Sequence, residues 1–280
     1  MMRIHRLFLL LAVFCCGAPA LADDVTPARG FDVLHYRVQL DPDLAGKSLR
    51  GREKIHLRLT KPGLRELVFD AGGLTIDTAQ RDGRPQEFRK EGKQLKLALP
   101  EGLQVGLELE LDFDYHGAPT YGLEFHPEQK QIYTIFSTSQ WMIAIDAPDE
   151  RARLLLMVVL PESYEAIGPG ETRVLRRGNG HRLLGWMQTE PVPSFVYGFA
   201  AGEFKAIDVG ANGIPMRMLA RDLSADDTRR VFADTGDMLA FFGERAGIAY
   251  EGRYDQALVV NTIGQELAGF ALLSEAYGNE

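Results

Sequence analysis

From Phe31 to about Val209 the chain alternates apolar and polar residues with a period of two. HYRVQL (35–40), REKIHLRL (52–59), LKLAL (95–99), LELELDFDY (107–115), QIYTIF (131–136), RLLLMVVL (153–160) and SFVYGFAAGEF (194–204) all follow it. Successive side chains on an extended backbone point to opposite faces, so each stretch is a half-buried strand and not a helix. Turn formers punctuate them in DPDLAG, DAGG, RDGRP, LPEG, HGAP and RRGNG. Short strands so regularly broken, with no long helix among them, predict an antiparallel sandwich or saddle-shaped sheet.

The pattern changes after the strand-like GIPMRMLA (213–220). Ser224 is a candidate N-cap with Asp227 three residues on, Val231, Thr235, Met238 and Phe242 recur at helical spacing, and Gly247 ends the run. One amphipathic helix of about 20 residues is expected here, followed by a strand in YDQALVVN (254–261). The apolar run from Leu267 to Leu273, broken by Gly269, reads as a further strand or turn. The expected organisation is a leader at 1–22, a β domain at 23–210, and the start of an α+β region at 211–280.

The leader rests on its own signal: two arginines in MMRIHR, the apolar LFLLLAVFCCG, and the small-x-small Ala20-Leu21-Ala22 before Asp23. This is the build of a secretory signal peptide cleaved after Ala22, and its apolar run is too short to span a bilayer comfortably. A periplasmic or secreted protein with no stable membrane span after cleavage is the expectation. Both cysteines, Cys15 and Cys16, fall inside this segment, so the mature part has no disulfide or cysteine metal site. Its net charge changes from −8 to 29 − 39 = −10 once Arg3 and Arg6 are gone. An acidic chain without a long basic run is a poor nucleic-acid binder, and no nucleic-acid partner is expected.

Catalytic signals are sparse. None of the histidines, His5, His35, His56, His116, His126 and His181, has a partner four residues on, so there is no H-E-x-x-H helix, and none follows His181. Catalytic zinc needs three protein ligands, and this sequence supplies no such set; no metal ligand is assigned. No G-x-S-x-G accompanies Ser194 or Ser274. Asp112 and Asp114 alternate with Leu111 and Phe113, which places them on the wet face of a strand. Met216 and Met218 read as strand packing, and GNG and GANG as turns, not phosphate loops. No catalytic residue is assigned from the residues alone.

Several stretches taken in order carry more. FDVLHYRVQLDPDLAGKSLRGREKIHLRL (31–59), DAPDERARLLLMVVLPESYEAIGPG (146–170) with Asp146 and Pro148, GWMQTEPVPSFVYGFAAGEF (185–204), GIPMRMLARD (213–222) and LAFFGERAGIAYEGRYDQALVV (239–260) together resemble the N-terminal portion of the aminopeptidase N family, gluzincin zinc metallopeptidases similar to membrane alanyl aminopeptidase. The resemblance implies a β-saddle domain followed by the truncated start of a thermolysin-like α+β catalytic domain. It implies peptides as ligands and, in the complete family, a zinc ion whose ligands and catalytic glutamate lie outside these 280 residues. No cofactor is assigned to this chain, which is expected to be inactive as it stands. A non-catalytic binding or scaffolding protein derived from that family is the other reading.

One family motif should fall here, the G-x-M-E-N strand whose glutamate pairs with the substrate α-amine. Anchored on FALL (270–273), it lies on Gln265, Glu266, Leu267, Ala268 and Gly269, with Ala268 in the place of the amine-binding carboxylate. Matching Gly264 instead leaves Glu266 one residue early, on the opposite face of a strand unless a bulge intervenes. The resemblance also makes Gln140 a candidate for lining the first substrate pocket, and Trp141 a packing residue. Gln140, Glu266, Leu267, Ala268 and Gly269 are therefore the candidate substrate-binding residues.

Overall fold

The computed structural model describes residues 29–261 and 263–279; the expected signal peptide at 1–22 lies outside them. Strands Phe31–Asp43 and Ser48–Leu59 form a long hairpin at the centre of an eight-stranded sheet. To one side come Glu108–Gly117, Thr75–Arg81 and the short Arg84–Pro85; to the other come Arg151–Pro161, His181–Pro193 and Arg173–Gly178. Antiparallel pairing holds at all but one junction: Phe31–Asp43 runs parallel to Arg151–Pro161.

Alternation places Val38 and Leu40, Ile55, Leu57 and Leu59, Leu109, Leu111 and Phe113, and Leu154, Leu156 and Val158 on the buried face. A bulge between Val33 and His35 inserts one residue, and so both Val33 and Tyr36 face inward although they are three apart. Over this face lies a three-stranded sheet of Glu66–Asp70, Gln94–Ala98 and Phe88–Glu91, contributing Leu67, Phe69, Leu95 and Leu97 to the same core.

A four-stranded sheet, Glu165–Ile167, Ala200–Gly202, Gln131–Thr134 and Leu123–His126, packs against a five-stranded one, Lys205–Ala211, Ile214–Ala220, Asp255–Val259, Phe270–Ser274 and Gly264–Leu267. The core between them holds Tyr133, Ile167, Ala200, Phe204, Leu219, Ala257, Val259, Leu267, Phe270 and Leu272. In the five-stranded sheet, which belongs to the region expected to be α+β, the two junctions around Asp255–Val259 are parallel.

Two further expectations are corrected. The single helix is two, Ala225–Val231 and Thr235–Ala246. Ser224 caps the first as expected, accepting from Asp227 N–H at 3.1 Å, but the Asp234-Thr235-Gly236 run has poor helix propensity. Phe232 is drawn into the core beneath, and Thr235 donates to the buried Gln256 at 2.7 Å. Segment 194–204 is not a strand throughout. Pro191 and Pro193 remove ladder donors, Ser194–Val196 forms a 3₁₀ turn, and only Ala200–Gly202 pairs.

Candidate functional site

The segment from 138 to 145 crosses the molecule without regular pairing yet is buried throughout, so its backbone polar groups need partners from elsewhere. Side chains supply them. Ile143 N–H donates to Glu53 Oε2 at 2.9 Å and Ile145 N–H to Tyr36 Oη at 3.1 Å. Tyr115 Oη donates to Trp141 O at 3.0 Å, and Ser194 Oγ donates to Ile145 O at 2.8 Å. Thr138 Oγ1 closes the set by donating to Ser194 O at 2.7 Å.

Glu53 is 0% exposed, on the inward phase of its strand, and its Oε1 has no partner among the described residues. Burial pushes its carboxyl well above the usual range, against the pull of the Ile143 hydrogen bond. Trp141 is fully buried, as expected of a packing residue.

Gln140 ends the 3₁₀ turn Thr138–Gln140, entered through Phe136 and Ser137, both at positive φ (42° and 40°). Two successive non-glycine residues in the left-handed region store strain that the surrounding packing must hold. The Gln140 side chain fits only because Gly72 and Gly122 have none. A Cβ on Gly72 would lie 2.5 Å from Gln140 Nε2, and one on Gly122 2.9 Å from Gln140 Cβ. Its residue is 6% exposed, and its amide makes no hydrogen bond to any described residue. An oriented amide left unengaged is what a ligand-facing glutamine requires.

The apolar run near residue 270 is a hairpin, not one strand. Gly264–Leu267 forms the outer edge of the five-stranded sheet and pairs with Phe270–Ser274 across a tight turn at Ala268 and Gly269, where Gly269 has φ 81°. Ala268 and Gly269 are therefore turn residues. Ala268 N–H donates to Val196 O at 2.9 Å, and Gly269 O accepts from Asp255 N–H at 3.0 Å.

The pairing runs without a bulge, so Gln265 and Leu267 face inward and Glu266 outward. Leu267 is buried in the core shared with the four-stranded sheet. Glu266 accepts a 2.5 Å bond from Tyr254 Oη and has no cationic partner among the described residues. Burial and this bond push the Tyr254 phenol up.

Gln265 Oε1 accepts from Phe136 N–H at 3.2 Å, which ties the Gln140 segment to the edge strand. The structure thus brings together the two segments that carry the candidates, while Glu266 points the other way. Gln265 and Phe136 make this contact unannounced by the sequence; the inward phase of Gln265 beside Leu267 was the available signal.

Among the described residues no group of three or more His, Cys, Asp or Glu is disposed to hold a metal ion. A catalytic zinc ion finds no ligand set in them. A broad groove of about 840 Å³ lies elsewhere, against Arg50, Arg52, Asp77, Asp114 and His116. Arg52 pairs with Asp114 at 3.0 Å and His116 hydrogen-bonds Asp77 at 2.9 Å, so several of its polar side chains are engaged with one another. No described helix is long and apolar enough to cross a membrane.

No protein-family model matches the chain. A leucine aminopeptidase 2 from Neurospora crassa is 25% identical over 197 residues, covering 63% of this chain and 29% of its own length. An M1 zinc metallopeptidase from Deinococcus radiodurans superposes with a TM-score of 0.77 at 24% identity, over 88% of this chain and 61% of its own. A mutant of that enzyme bound to a Tyr-Ser-Ala substrate gives the same score over 89% and 61%. The chain therefore spans under a third of the curated relative and about three fifths of the solved ones, and over that span it has the fold of the M1 zinc metallopeptidases.

Proposed function

We propose that this chain forms the N-terminal β domain and one wall of the peptide cleft of an exported aminopeptidase-type zinc metallopeptidase, and that residues 1–280 alone do not hydrolyse peptides. The observation that carries the reading is the unengaged Gln140 amide, carried on the segment whose Phe136 N–H is bound by Gln265 of the edge strand Gly264–Leu267, in a fold shared with a peptidase solved with a bound tripeptide. An edge strand offers main-chain donors and acceptors on its free side to an extended peptide, and an unengaged amide on the segment tied to that strand is a further polar contact for it.

The positions aligned with the amine-binding carboxylate supply no acidic group for a substrate α-amine. Leu267 is apolar and buried and Ala268 is a methyl group in a turn, so neither can form an ion pair with an ammonium. Export is supported by the charged, apolar and small-x-small sequence of residues 1–22.

The test uses the purified 280-residue protein. Mass spectrometry of material recovered from an exporting host should give a chain beginning at Asp23. Titration with Tyr-Ser-Ala should show weak binding that Gln140→Ala reduces severalfold. Stoichiometric tight zinc with chelator-sensitive release of N-terminal residues would overturn the claim of inactivity, and peptide affinity indifferent to Gln140→Ala would overturn the cleft wall.

A further inference from the structure

The two halves of the molecule meet over an apolar core, and two peptide N–H groups beside that core are held across the joint. Val260 N–H donates to Gln131 Oε1 at 3.1 Å, and Asn261 N–H donates to Tyr133 Oη at 3.3 Å. Gln131 and Tyr133 belong to strand Gln131–Thr134 of the N-terminal domain; residues 260 and 261 follow strand Asp255–Val259 of the C-terminal sheet and lead to the edge hairpin.

Tyr133 has a second partner. Its ring stacks on His126 with centroids 5.3 Å apart and planes 12° from parallel, and Tyr133 Oη lies 3.0 Å from His126 Nε2. The phenol oxygen accepts from Asn261 N–H, and His126 Nε2 is the ring nitrogen within hydrogen-bond distance that can take the phenol's own hydrogen. That requires the imidazole to be neutral with its proton on Nδ1. A protonated imidazole has no acceptor: Nε2–H would then compete with Asn261 N–H for the phenol oxygen, and the phenol hydrogen would lose the ring nitrogen as its partner.

We propose that the His126–Tyr133 pair is an acid-sensitive latch, in which neutral His126 holds the 260–261 peptide of the C-terminal sheet on the N-terminal domain and protonation of Nε2 releases it. The charged and titratable groups facing the pair are Lys47 towards His126, Glu124 on the same strand as His126, and Glu275 towards Tyr133. Lys47 opposes protonation of His126, in the same direction as burial, and its imidazole sits below the ordinary value of 6.5. A base whose folded value is depressed is protonated at a cost in the folded state, so the latch is closed above the ordinary histidine range and opens as pH falls below it. Gln131 has no titratable group, so the neighbouring Val260 bond is an internal control. The latch is a property of the joint and holds whatever the cleft binds.

Backbone-resolved hydrogen exchange on the whole chain tests it. Corrected for the intrinsic pH dependence, the Asn261 amide should lose about fivefold in protection between about pH 7.5 and about pH 5, the size of one hydrogen bond, with Val260 changing by less than about twofold. Tyr133→Phe should leave Asn261 fast at both values, and His126→Gln, which keeps a neutral acceptor, should remove the step. Nitrogen shifts of His126 in the unaltered protein give an independent reading, since a neutral-pH tautomer protonated on Nε2 would overturn the latch. So would an acid step of the same size in His126→Gln, or no step at Asn261 in the unaltered chain.

Discussion

The eight-stranded sheet and the helical face of the C-terminal region treat apolar residues in opposite ways. In the sheet, alternation carries Phe113, Tyr115, Leu156 and Trp186 into one continuous core. On and after helix Thr235–Ala246, Met238, Phe241, Phe242 and Ile248 are 55%, 50%, 64% and 72% exposed. Helical spacing identifies a helix, but the same residues at the same spacing bury only if another layer covers them. Apolar content alone therefore says little about which half of this molecule holds itself together.

Truncating one residue on each side of that contrast should give the largest separation. Phe113→Ala opens a cavity in close-packed surroundings and should cost about 3–5 kcal/mol in urea unfolding, whereas Phe242→Ala should stay within about 0.5 kcal/mol. Equal losses would mean that the helical face is packed in solution.

A second prediction concerns polarity inside the better-packed half. Glu53→Gln keeps an acceptor for Ile143 N–H and removes the titrating proton, and it should stabilise the protein by about 1–3 kcal/mol at neutral pH. The sign follows from the raised folded value. The folded state binds a proton that the unfolded chain releases near the ordinary glutamate range, so stability falls as pH rises from that range towards the folded value. Unfolding curves of the parent should show this decline and those of the variant should not; a parent curve flat over that interval would contradict it.

At the helical side the expected effects are smaller. Ser224→Ala removes the N-cap bond to Asp227 N–H and should cost about 1 kcal/mol, read as a lowered unfolding midpoint. Smallest in stability is the pair Phe241→Lys and Phe242→Glu, which should change unfolding by under about 1 kcal/mol while raising the concentration at which light scattering first reports association. No change in that threshold would show that the face is not adhesive.

The sequence made the strands legible because period two is a local property, but partners and interruptions are not local. Glu53 could have been singled out: it shares the inward phase of Ile55, Leu57 and Leu59, and a carboxylate in that phase predicts either a partner or a shifted proton. The buried crossing at 138–145 had no periodic signal, since its backbone is satisfied by Glu53, Tyr36 and Ser194, residues remote in sequence. At the edge strand, Gly269 suggested a turn, yet only the observed register shows that Glu266 and Leu267 face opposite ways.

The parallel pairing of Phe31–Asp43 with Arg151–Pro161 also has a bearing on how the molecule is made. The first hairpin can close as soon as residue 59 has been synthesised, but one flank of its leading strand must wait for more than 90 further residues, with its amides and carbonyls unpaired. Contacts so distant in sequence slow folding and leave a sticky edge in the interim. The lifetime of that half-finished sheet, more than the stability of the finished one, would then govern how much chain reaches the native state.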